Sequence, residues 1–199
     1  MQGCARTPAR QPLALRRLRR AGVTAFASAL LFVPPTLAGE PAPFGARAGL
    51  DIAAVSALAW APDARLVYIE NDEALDGQGA AARWGYLFFS PHLDKARAYS
   101  VRAGKIAVAD TLDMKLETPP LATDWIDSGV ALAAAERVGR SFCQQHGGRL
   151  STMFLMRGPF QDGDPDETTW TFVYASANAP SLFVVVDASQ GKVRRTSRG

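Results

Sequence analysis

Three aromatic residues at alternate positions, occurring twice, constrain this chain more than any other feature. Trp84-x-Tyr86-x-Phe88-x-Ser90 returns as Trp170-x-Phe172-x-Tyr174-x-Ser176, displaced by 86 residues, and the following hairpin glycine moves from Gly104 to Gly191, displaced by 87. Alternate residues of an extended strand share one face, so each run lays a stripe of large rings along one side of a sheet. Matching patterns at matching separation are what an internal duplication leaves behind.

The flanking segments run through the same order in both halves. Residues 47–60 carry Leu50, Ala53, Ala54, Ala57 and Leu58 at helical spacing and stop at Ala61-Pro62. Strands are expected over 65–70, 84–90, 96–102 and 105–109, with a Gly- and Ala-rich connection over 71–82 and a tight turn at Ala103-Gly104. In the second half, Asp127 or Ser128 caps a helix to about Gln145. Its face holds Ala131, Leu132, Ala135, Val138, Phe142 and Cys143, and Gly147-Gly148 ends it. Strands follow over 150–157, 169–176, 181–187 and 192–196. A helix laid on one face of a four-stranded antiparallel sheet buries both apolar surfaces. The expected fold is therefore α+β: two tandem units, 47–118 and 127–199, each one helix on a four-stranded antiparallel sheet, joined by a linker at 119–126 around Pro119-Pro120. Leu87 and Phe89 put apolar groups on the opposite face of the first sheet, so that face should be covered by the other unit or by a partner.

Ahead of these units stands an export signal. Six arginines and no acid occupy the first twenty residues, an apolar run extends from Ala21 to Val33, and Thr36-Leu37-Ala38 offers the small residues that signal peptidase requires. The run is too short to span about 30 Å of hydrocarbon. Residues 1–38 are read as a cleaved signal peptide, 39–46 as a flexible N-terminal tail, and the mature chain as periplasmic or secreted with no stable membrane anchor. The whole chain has 22 basic and 19 acidic residues, net +3; the signal takes six arginines and no acid, leaving 16 against 19, net −3. The basic balance thus belongs to the signal, and a nucleic-acid partner is excluded. With Cys4 removed, Cys143 is the one thiol of the mature chain, so packing rather than a cross-link must hold the fold. On an apolar helix face, it is assigned to the core.

The segment Val184-Val185-Val186-Asp187-Ala188-Ser189-Gln190-Gly191-Lys192-Val193 resembles the hairpin that closes PepSY domains: an apolar strand, Asp-Ala, a two-residue tip, Gly and a basic return. The helix–strand–strand–hairpin order is similar as well. The resemblance covers residues 127–197. In the first half the turn Arg102-Ala103-Gly104-Lys105 lacks the Asp and is shorter by two residues. It implies a PepSY-like or cystatin-like arrangement and a role in inhibiting, chaperoning or sensing peptidases and cell-wall processes, rather than catalysis.

The chemistry-bearing groups are few. Asp162, Asp164 and Asp166 alternate like the opening of a calcium loop, but there is no glycine at the sixth position and no glutamate at the twelfth, so a solvated connection accounts for them. His92 and His146 lie in different halves without a third ligand at metal spacing. No catalytic residue, cofactor site or resident metal is assigned. The two stripes, Trp84, Tyr86, Phe88 and Trp170, Phe172, Tyr174, are read first as core; part of one, left exposed, would serve as a partner-binding surface. Lys192, Arg194, Arg195 and Arg198 guard an edge strand or attract an anionic surface. The expectation is an exported, non-enzymatic protein, monomer or homodimer, that binds an envelope protein or peptide. A small-ligand carrier, or an enzyme with a site assembled from dispersed residues, is the alternative.

Overall fold

Alternating burial and helical spacing yield ten elements in the computed structural model, which describes residues 41–114, 119–158 and 164–199. They run α1 (Leu50–Trp60), β1 (Arg65–Asn71), β2 (Arg83–Ser90), β3 (Lys95–Arg102), β4 (Lys105–Leu112), α2 (Ser128–His146), β5 (Arg149–Arg157), β6 (Thr168–Ala175), β7 (Leu182–Asp187) and β8 (Val193–Arg198). The segment read as a signal peptide, and Asp162, lie outside the described residues.

The fold is α+β, with one eight-stranded antiparallel sheet in the order β4-β3-β2-β1-β5-β6-β7-β8. Its two sets of four strands meet edge to edge at β1 and β5, where Ile69 pairs with Leu155 and Glu70 with Phe154. α1 packs on β2, β3 and β4, and α2 on β6 and β7. Asp127 caps α2 by accepting the Ser128 amide, and Gly147 closes it in the left-handed conformation. Ala103 and Gly104, at φ 51° and 69°, turn β3 into β4 with the paired left-handed residues a two-residue hairpin needs.

Both aromatic stripes face the helices. None of Trp84, Tyr86, Phe88, Trp170, Phe172 and Tyr174 is more than 4 % exposed. Trp84 meets Trp170 edge-on across the seam with ring centroids 6.4 Å apart, and Trp125 meets Trp170 at 5.9 Å. Three indoles thus fill the space between the helices, and one continuous core runs through both halves.

Three regions show how the sheet and its flanking segments pack. Phe44 and Ala46, at the end of the segment read as a tail, are held by side chains of the sheet. Buried indole and phenol donors need acceptors, and Trp84 Nε1 donates to the Phe44 carbonyl while Tyr86 Oη donates to the Ala46 carbonyl, each at 2.7 Å. Segment 119–126 is built into the core: Leu121 and Trp125 are buried, and Trp170 Nε1 donates to the Ile126 carbonyl at 2.8 Å. Finally, the second half does not cover the Leu87 face of the first. It extends the sheet sideways, because β1 and β5 are edge strands that satisfy each other's backbone groups.

Candidate functional site

On β1 to β4, the sheet face turned away from α1 is hollow. Residues paired directly across an antiparallel ladder share a face, and two rows form here: Tyr68, Leu87 and Ala98, then Glu70, Gly85 and Ser100. The middle of the rows is small, Gly85 and Ala98, while Tyr68, Leu87, Val108 and Leu112 rise around it. The result is a mainly apolar trough of about 470 Å³.

Its polar groups are few and fixed. Asp72 folds onto this face directly over Gly85, where a Cβ would stand 2.6 Å from Asp72 Oδ1. A glycine inside a strand commonly marks such a close approach. Asp72 accepts from the Ser100 hydroxyl, Arg83 Nε donates to Ser100 Oγ at 2.7 Å, and Arg83 lies 3.7 Å from Asp72 Oδ2. The Tyr68 hydroxyl donates to Glu70 Oε2 at 3.0 Å, with its ring stacked on Phe154 at 5.6 Å. Burial raises the Glu70 pKa above the ordinary glutamate value; the Asp72 charge adds to this, against the lowering effect of the Tyr68 hydrogen bond. Burial, then the Glu70 charge and the hydrogen bond to it, keep Tyr68 firmly protonated.

A second concavity, of about 600 Å³, lies at the β7–β8 hairpin end and is rimmed by Asp124, Arg157, Asp166, Glu167, Asp187 and Arg194. Its charges are largely committed to one another. Arg194 pairs with Glu167 and Asp187, and Arg157 with Asp166. Asp187 also accepts the Ser189 and Gln190 amides at 2.8 and 3.0 Å, which holds the hairpin tip. Burial alone would lift Asp187, but the Gln190 amide, the Ser189 hydroxyl and amide, and Arg194 outweigh it and hold the carboxyl below its ordinary value. Asp164 accepts the Asp166 amide at 2.9 Å, closing a turn. Among the described residues no three His, Cys, Asp or Glu groups converge as metal ligands.

The six aromatic partner-binding candidates present no surface, since all lie beneath the helices or against the seam. His92 sits in the β2–β3 turn with its amide on Asp63 Oδ2, and His146 beside the Phe142 ring. Burial, with Glu136 adding, pushes the Cys143 thiol up, away from a reactive thiolate. Reasoning from sequence missed Tyr68, Glu70, Asp72, Arg83 and Ser100. The available signals were Gly85 inside the aromatic strand and the alternation of Tyr68 with Glu70, but nothing local ties Asp72 to Ser100. Among the described residues no helix is long and apolar enough to cross a membrane. Compared with known proteins, the chain matches no family model and no curated protein.

Proposed function

We propose that this is an exported binding protein rather than an enzyme, and that it holds a small ligand in the trough of β1 to β4. The observation that carries this reading is the trough itself, about 470 Å³ of mostly apolar hollow with a few fixed polar groups. That is the size and make-up of small-molecule sites. Export rests on the basic then apolar segment ending at Thr36-Leu37-Ala38, which assigns the mature chain to the periplasm or beyond. A binder suits the chemistry better than a catalyst. Its polar groups are tied to one another, Asp72 to Ser100 and Arg83 and Tyr68 to Glu70, around a mostly apolar hollow, as in a site that holds a ligand.

The reading as an inhibitor, chaperone or sensor of an envelope protein keeps one specific support. α1 is apolar nearly all round, and its outer side leaves Val55 71 % and Leu58 54 % exposed. Such residues are candidates for a protein contact. The PepSY-like assignment and the tandem organisation belong to this reading too. In both halves a strand tryptophan, Trp84 or Trp170, donates its indole N–H to a carbonyl just before a helix, Phe44 or Ile126. A duplicated unit would carry this device twice.

The test is to fill the trough. The purified protein is incubated with an envelope extract, washed and denatured, and the released small molecules are read by mass spectrometry. The expected result is a compound retained by the parent protein and lost in Ala98→Trp, whose indole occupies the hollow, with circular dichroism unchanged. Retention of nothing, or equal retention by both proteins, would contradict the reading.

A further inference from the structure

Of the two carboxylates that line the trough, Glu70 and Asp72, one lacks a cationic partner among the described residues. Asp72 has Arg83 and the Ser100 hydroxyl, and Glu73 beyond the strand end has Arg102 at 3.3 Å. Glu70, partly buried at the trough wall, has only the Tyr68 hydroxyl. Among the described residues no lysine or arginine lies within ion-pair distance of it. The groups around it make an anion costlier there. Asp72 on its own strand end repels it, Arg83 on β2 is occupied by Asp72 and Ser100, and its β5 neighbour Phe154 carries no charge. A carboxylate drawn partly out of water beside a second carboxylate is stabilised by a cation brought to it. The rest of the hollow, Leu87, Ala98, Val108 and Leu112, accepts hydrocarbon.

We infer that the trough selects ligands with a protonated amine attached to an apolar tail, the ammonium seated on Glu70 and the tail over Leu87 and Ala98. This rests on the trough being the binding site. It makes Glu70 a specificity residue that the fold would do better without. A carboxyl whose folded pKa is raised contributes stability below its unfolded pKa, and that contribution is lost as the pH rises through the folded value. At neutral pH, Glu70→Gln is therefore expected to be as stable as the parent or more so, so lost binding in this variant is not lost folding. Ammonium affinity also falls as the pH is lowered through the raised Glu70 value, above the ordinary glutamate range, while the affinity of a neutral ligand does not.

Isothermal titration of the purified protein with n-octylammonium, n-octanol and n-octanoate separates the possibilities. In the parent, octylammonium should bind about tenfold more tightly than octanol, with octanoate weakest, and Glu70→Gln should erase the amine preference while leaving octanol unchanged. If octanol and octylammonium bind the parent equally, or Glu70→Gln keeps the preference, the amine assignment is wrong, while loss of octanol binding in Ala98→Trp would still uphold the trough as the binding site. If none of the three binds, the trough reading itself falls, and this inference with it.

Discussion

Gly139 shows how much one missing methyl can matter here. It lies buried on the sheet-facing side of α2, and a Cβ added there would run into the Tyr174 ring, whose hydroxyl reaches Glu136 Oε1 at 3.1 Å. The ring cannot retreat without leaving that carboxylate and its place in the core. Gly139→Ala is expected to cost about 2 kcal/mol despite alanine's better helix propensity, as overpacked core sites do. A urea unfolding midpoint at or above that of the parent would show that α2 has room to shift. In the sequence, Gly139 looks like a weak point in a helix, because its partner lies 35 positions away in β6. The aromatic stripes were legible for the opposite reason. Period-two alternation of large rings is a local pattern, and burial follows it directly in β2, while in β6 the alternate residues Thr169 and Thr171 are buried as well.

At the scale of the element, the β7–β8 hairpin is held by Asp187 more than by its turn residues. The carboxyl gathers two backbone amides, the Ser189 hydroxyl and Arg194, in a position only 3 % exposed. Asp187 thus has a structural role in this chain. Asp187→Asn should cost about 2 kcal/mol, the usual value of a hydrogen bond to a charged group. The pH dependence has a definite sign. A carboxyl with a depressed folded pKa contributes stability that is present above its unfolded value, near pH 4, and is lost as the pH falls below it. Midpoints measured from neutral to acid pH should therefore fall less steeply in Asp187→Asn than in the parent; parallel curves would remove Asp187 from this role. The hairpin and α2 could be read from sequence because their caps, Asp127 and Gly147 or Asp187 and Gly191, sit within a few residues of what they cap. The linker could not. Leu121 and Trp125 look like connection residues until the Leu66 and Trp170 contacts, far away in sequence, bury them.

In the whole molecule, two runs of four strands form one sheet rather than two packed layers, and this leaves the β1–β4 face free to be hollow. The repeated strand order predicted the number and sequence of elements but not how the halves meet. Edge-to-edge pairing and face-to-face packing make nearly the same demand on alternation within each strand. The trough was hidden for a related reason. It is assembled from Tyr68 and Glu70 of β1, Asp72 just beyond it, Arg83 and Gly85 of β2 and Ser100 of β3, and their meeting depends on the pairing register. The most direct test of the central claim is a map of amide chemical shifts on the purified protein as octylammonium, octanol and octanoate are titrated in turn. The account predicts that whichever of them binds perturbs Gly85, Leu87, Ala98 and Ser100 first. Perturbations gathered instead at Ser189 and Gln190, or along Val55 and Leu58 of α1, would place the binding surface elsewhere and contradict it.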